Sequence, residues 1–208
     1  MTASSGQGPA TGGAAATAAA TAAATSGNSN DPGAAKRLRM YRGSFWLFIL
    51  AESFGFVTLF SVRFLLAGTD RPAELNGVLG ALITLAFAGS SVPAVWALRA
   101  IRAGDGEAMV FRLQLALGLG LTAFWFVVAD VSSTTIAPAS RFGGSYFASV
   151  GFHAIHIVVG LVFLAALWSS GRRGRFSPAD HWLVEAGVRF WLFVTAAWVA
   201  LYIVFYWL

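Results

Sequence analysis

Two histidines three residues apart, His153 and His156, lie in the stretch from Gly143 to Gly160, which is otherwise apolar enough to span a bilayer. Imidazoles at that depth can ligate a metal or a haem, pass a proton, or hydrogen-bond another helix, since lipid offers them no partner. The spacing projects both rings from one helix face, and Gly160, one turn further on, lets another backbone approach. Two histidines from one turn cannot serve as opposite axial ligands of one haem. A dimetal bundle site also needs carboxylates from facing helices in the Glu-x-x-His pattern, and Glu52 is the one carboxylate well inside any apolar segment. Counting ligands therefore favours interhelical hydrogen bonding over metal or haem ligation, and no catalytic, cofactor-binding or metal residue is expected in this chain.

Glu52 stands about two turns into its own apolar run, where an ionised carboxylate costs about 2.5–3.5 kcal/mol unless it is neutralised or paired. It is expected to be protonated or hydrogen-bonded, as a structural or lipid-contacting group. A proton relay needs several linked groups, and Arg63 on the same helical face is roughly 16 Å away along the axis. His181 and Glu185 are i and i+4 at a membrane interface, where they could pair with each other or with a partner subunit. With no cysteine in the chain, disulfides, thiolate metal sites and cysteine nucleophiles are excluded together. Walker loops, nucleophile elbows and metalloprotease helices are also missing from the sequence.

The elements that must position these groups are membrane helices. Of 208 residues 57% are hydrophobic and 11% charged, against about 25% charged in soluble domains. Residues 1–35, rich in Ala, Thr and Gly, cannot build a core and are expected to be a disordered cytoplasmic tail rather than a signal peptide. The rest predicts an all-α, polytopic bundle with spans at about 44–67, 76–98, 110–128, 145–169 and 188–208. In the second, Pro93 removes a backbone donor and a kink is expected, with Ser90 and Ser91 placed to satisfy freed carbonyls. A short amphipathic connection through Pro178, His181 and Glu185 leads into the fifth.

Five spans put the termini on opposite sides. Lys36, Arg37, Arg39, Arg42, Arg99, Arg102, Arg112, Arg172, Arg173, Arg175 and Arg189 fall on the N-terminal side, and only Arg63, Arg71 and Arg141 on the other. That division predicts a cytoplasmic N-terminus and a C-terminus outside, periplasmic in a bacterium. Tyr202, Tyr206 and Trp207 are then expected as aromatic anchors at the outer interface. The net charge of +5 reflects basic loops beside the membrane, and no nucleic-acid partner is expected.

Three stretches, in order, resemble subunit III of the haem-copper terminal oxidases, in its short, five-helix bacterial form. Gly144-Ser-Tyr-Phe-Ala-Ser-Val-Gly-Phe-His-Ala-Ile-His-Ile-Val-Val-Gly160, which contains Gly151, is similar to the family's Gly-Phe-His-Gly-x-His-Val block and its following glycine. Phe48-Ile-Leu-Ala-Glu-Ser-Phe with Phe60 resembles the helix that carries a buried glutamate, so Glu52 matches that carboxylate. Leu75 to Ala97, with Ser90 and Ser91, resembles the next helix. In the last span His181, Glu185, Trp191, Phe193, Val194 and Trp198 match by spacing, while Leu192 replaces a histidine and Thr195 an aspartate, and the third span offers Asp130 near the place of a glutamate.

The resemblance covers roughly Phe45 to Leu208. It implies a bacterial plasma-membrane subunit that carries no redox cofactor. Such a subunit packs beside the catalytic haem-copper subunit I and other oxidase subunits, which hold the haem and copper. It also implies phospholipid bound in a cleft between helices and support of sustained turnover and proton uptake. Rival readings are the related subunit of a nitric oxide reductase, a stand-alone proton channel or transporter using Glu52 and the histidines, and an intramembrane metalloenzyme.

Overall fold

The computed structural model describes residues 32–69, 72 and 74–208. The alanine-rich stretch to residue 31, and Arg71 from the charge division, lie outside the described residues. Among the described residues five helices follow one another: α1 (Pro32–Ala67), α2 (Gly77–Arg102), α3 (Gly106–Ser133), α4 (Arg141–Arg172) and α5 (Trp182–Tyr206). All five are long and apolar enough to cross a membrane, and the described residues contain no strand. From Phe45 to Leu208 the chain is one compact unit.

Polar caps set where α2, α3 and α4 begin. Asn76 Oδ1 accepts from the backbone of Val78 and Leu79, both at 3.1 Å, and starts α2. Asp105 does the same for α3 through Ala108 N at 2.9 Å, and Ser140 for α4 through Gly143 N at 2.9 Å. Gly104 and Gly174, at φ +85° and +66°, make the turns that close α2 and α4. Glu185, expected in the connection, belongs to the first turn of α5.

Helices α2, α3, α4 and α5 form a closed ring in which α2 also meets α5. Along that seam α5 side chains bond to α2 in antiparallel order. Tyr202 Oη donates to Gly77 O at 3.3 Å, Trp198 Nε1 to Thr84 Oγ1 at 3.0 Å and Trp191 Nε1 to Ser90 Oγ at 2.9 Å, while Ser91 and Thr195 share a hydrogen bond of 2.8 Å. Ser90 in turn donates to Phe87 O at 2.8 Å, and α2 runs through Pro93 as continuous helix. Without a hydrophobic drive between helices in lipid, such bonds and close packing supply the association.

Close packing centres on Trp191, which is fully buried. A Cβ at Gly120 of α3 would lie 2.7 Å from its ring, and one at Gly160 of α4 would lie 2.8 Å from it. The indole therefore fills a slot that the two glycines leave open, so Gly160 admits a side chain where a backbone was expected. Gly151, by contrast, is exposed and a Cβ there meets nothing.

Helix α1 leans on the ring through aromatic side chains. Phe56 packs edge-on to Phe152 at 5.0 Å, and Phe48 stacks on Phe190 at 6.1 Å. Its other face, with Leu47, Leu50, Phe54, Val57 and Leu65, is exposed as a lipid-facing helix requires. There Ser53, Thr58 and Ser61 turn their hydroxyls back to carbonyls four residues earlier, at 2.7, 2.8 and 2.9 Å, so no polar group of theirs needs solvent.

Candidate functional site

The site builds from the meeting of α1 and α4. His156 Nδ1 lies 2.8 Å from Phe152 O one turn earlier, and its Nε2 lies 3.0 Å from Glu52 Oε2. A carbonyl only accepts, so Nδ1 carries a hydrogen, and a neutral ring then presents a lone pair at Nε2. Two states satisfy the contact: a protonated Glu52 donating to a neutral imidazole, or an imidazolium donating to a carboxylate. Either way the Glu52–His156 contact holds a single proton between two helices, and neither group is stranded in lipid.

The surroundings are aromatic. Phe152 and Phe56 stand edge-on or tilted to the His156 ring at 4.6 and 5.2 Å, with Phe190 and Phe193 just beyond 6 Å. Glu52 and His156 form the polar floor of a cavity of about 290 Å³ whose other walls are Phe48, Phe152, Ile155, Val159 and Phe190. Such a cavity suits an apolar chain with a polar group at one point.

His153 has a different fate. A step of three residues turns it some 60° from His156, away from Glu52 and into the ring. It is fully buried among Phe56, Phe87 and Trp198 at 5.6–6.0 Å, and neither ring nitrogen has a hydrogen-bond partner among the described residues. Thr195 of α5 is engaged with Ser91. The interhelical bond expected of both histidines thus forms at His156 and not at His153.

The remaining sequence candidates sit at one end of the ring and along its α2–α5 seam. Glu185, 2% exposed, pairs with Arg189 at 2.5 Å and with Arg102 of α2 at 3.5 Å, and Arg189 also lies over the Trp46 ring at 5.5 Å. His181 instead donates from Nδ1 to Pro178 O at 2.8 Å, so the i,i+4 pair with Glu185 does not form. Ser90, Ser91, Trp191 and Trp198 belong to the α2–α5 seam.

At the opposite end the structure holds a cluster that sequence reasoning left apart. Asp130, 3% exposed at the end of α3, accepts on Oδ2 from Tyr146 Oη of α4 at 2.6 Å and from Tyr206 Oη of α5. Tyr206, expected as an interfacial anchor, is buried because its hydroxyl has this partner inside the bundle. Trp207, for which the same was expected, is exposed. Beside the cluster, Arg63 is fully buried with its guanidinium 4.6 Å from the Phe142 ring centre and Nη1 donating to Gly68 O at 2.6 Å. An acidic residue at a span end, followed by tyrosines in two later spans, is the signal that could have found it.

Among the described residues no three His, Asp or Glu side chains come together in a group able to hold a metal ion. The site's chemistry is that of a proton held in a hydrogen bond and of helices fastened in lipid.

A family model described as cytochrome c oxidase subunit III matches residues 25–208, all five helices included. Cytochrome c oxidase subunit 3 of Sus scrofa is 30% identical over 122 residues, which cover 57% of this chain and 46% of the relative. That of Gallus gallus is 30% identical over 179 residues, 77% of this chain and 67% of the relative. That of Marchantia polymorpha is 31% identical over 128 residues, 61% and 48%. The matched region spans about half the length of the first of these relatives.

Proposed function

The chain belongs to the cytochrome c oxidase subunit III family, and from that premise we propose that it is a non-catalytic accessory subunit of a respiratory haem-copper oxidase. The observation that carries the proposal is the match over all five helices, joined to the Glu52–His156 pair that fastens α1 to α4. Haem and copper belong to the catalytic subunit beside which this one packs in a bacterial plasma membrane. Eleven of fourteen basic residues lie on the N-terminal side of the spans, which supports an N-terminus in the cytoplasm.

Two tasks follow for the site residues. The cavity above Glu52 and His156 takes an acyl chain of bound phospholipid, with the polar pair at its floor and phenylalanines as walls. The pair keeps α1 against the ring with its proton internal, so that the lipid cleft holds its shape while the neighbouring subunit takes up protons.

Oxygen consumption by the isolated complex tests this reading. With the subunit removed, or with Glu52 and His156 both replaced by leucine, the initial rate should be close to normal and the activity should decay sooner during turnover. An identical time course in all preparations would contradict the supporting role. Vesicles containing this chain alone should show no proton flux, whereas flux would favour a channel.

A further inference from the structure

A second cavity, of about 560 Å³, opens between α3 and α4 at the end of the bundle that carries the α2–α3 and α4–α5 connections. It shares no lining residue with the cavity at Glu52. Its shape comes from glycines. A Cβ at Gly171 would lie 2.7 Å from Met109 Cε and 3.0 Å from Val110 Cγ2, so α4 presses against α3 there. Gly106 and Gly174, also on the lining, have open space where side chains would stand.

Three polar side chains line this space, none with a hydrogen-bonding or ionic partner among the described residues. Glu107 comes from the first turn of α3, Arg172 from the last turn of α4, and Gln114 from two turns deeper in α3. Arg172 is steadied by the Trp168 ring, 5.1 Å from its guanidinium carbon. Glu107 and Arg172 carry opposite charges on opposite walls and do not pair with each other. Gln114 lies roughly 10 Å further along α3 than Glu107, inside an apolar span beside Val110 and Phe111, where a side-chain amide needs a partner.

We infer that this groove binds one phospholipid whose headgroup carries a primary ammonium, as phosphatidylethanolamine does. Its phosphate meets Arg172, its ammonium meets Glu107, and an ester carbonyl at the start of the acyl chains accepts from the Gln114 amide. The glycerol backbone then lies along Val110 and Phe111, and the acyl chains continue past Gln114 into the membrane. A glycerol headgroup offers the Glu107 carboxylate hydroxyls but no positive charge. A choline headgroup has no N–H to donate to that carboxylate, and free phosphate leaves Gln114 and the apolar wall empty. The site is independent of the oxidase assignment and of the cleft at Glu52.

Native mass spectrometry of the full-length chain in mild detergent tests this, titrating phosphatidylethanolamine, phosphatidylglycerol, phosphatidylcholine and inorganic phosphate separately. One equivalent of phosphatidylethanolamine should bind more tightly than the other three. Arg172→Gln and Glu107→Gln should each weaken it by about fivefold to tenfold, the worth of one solvent-exposed hydrogen bond. Gly106→Leu should weaken it by filling the groove with every charge retained, and Arg173→Gln should leave it unchanged. Helical content by circular dichroism identifies any variant that fails to fold, and Glu107→Gln and Gly106→Leu, both at exposed positions, then decide. Equal or tighter binding of phosphatidylglycerol or phosphatidylcholine overturns the inference, as does binding that the groove variants leave unaltered. Loss of a partner subunit from the native complex with the lipid count unchanged would assign the groove to a protein helix, and also overturns it.

Discussion

Replacing Gly160 by alanine presses on the tightest contact in the ring. The new Cβ would stand 2.8 Å from Trp191 Cε3 and 3.0 Å from Cζ3, where carbon atoms normally rest about 3.5–4.0 Å apart. The indole must therefore retreat by most of an ångström. Its far edge already faces Gly120, where a Cβ would be 2.7 Å away, and its Nε1 is tied to Ser90 at 2.9 Å. Overpacking of this kind costs about 1–3 kcal/mol, and stretching the Trp191–Ser90 bond adds about 0.5–1.5 kcal/mol. Alanine returns up to about 1 kcal/mol as the better helix former, so the net loss should be about 1–3 kcal/mol. Gly151→Ala on the same helix collects that gain with no clash and should be neutral or stabilising by up to about 1 kcal/mol. Thermal unfolding of both variants in one detergent compares them directly. In a Trp191→Phe background, which lacks the benzo ring carrying Cε3 and Cζ3, the cost of Gly160→Ala should shrink. If Gly160→Ala proves no more costly than Gly151→Ala, the slot does not organise the ring.

Other substitutions probe the polar groups by the same unfolding measurement. Glu52→Ala strands the His156 imidazole and should cost about 1–3 kcal/mol, more than Glu52→Gln, whose amide can still donate to Nε2; equal losses would argue that the contact is not a hydrogen bond. Asp130→Ala leaves two buried tyrosine hydroxyls without their acceptor and should cost about 1–3 kcal/mol, whereas Tyr146→Phe should cost about 0.5–1.5 kcal/mol; the reverse order would remove Asp130 from the centre of that cluster. His153→Leu should be neutral or stabilising, because a buried imidazole without a partner has lost its hydration for nothing. A large loss there would mean that His153 has a partner in the membrane.

The five helices were legible because an apolar run of about 20 residues has few alternatives in lipid. The start of α2 was legible too, at Asn76, whereas those of α3 and α4 were not, although Asp105 and Ser140 carried the capping signal, since the apolar runs begin several residues inside those two caps. Within the site, Glu52 and His156 each stood out as an ionisable group at depth, but their pairing spans 104 positions and depends on helix rotation that no local spacing encodes. The same 60° step that brings His156 to Glu52 sends His153 into an aromatic pocket, so a reading based on one shared face treated both alike. Tyr206 looked like an anchor because it neighbours Trp207 at the chain end, and its burial follows from Asp130, 76 positions earlier. Glu185 was expected to pair with His181 or with a partner subunit, and its partners in the structure are arginines on α2 and α5.

Purification of this chain from its native membrane in mild detergent tests the central claim most directly, with haem measured by the reduced-minus-oxidised spectrum and copper by elemental analysis. An accessory oxidase subunit should bring a haem- and copper-bearing partner with it in fixed ratio, with both metals residing in that partner after the subunits are separated. Recovery of the chain with no haem-bearing partner, or with stoichiometric metal in the isolated chain itself, would contradict it.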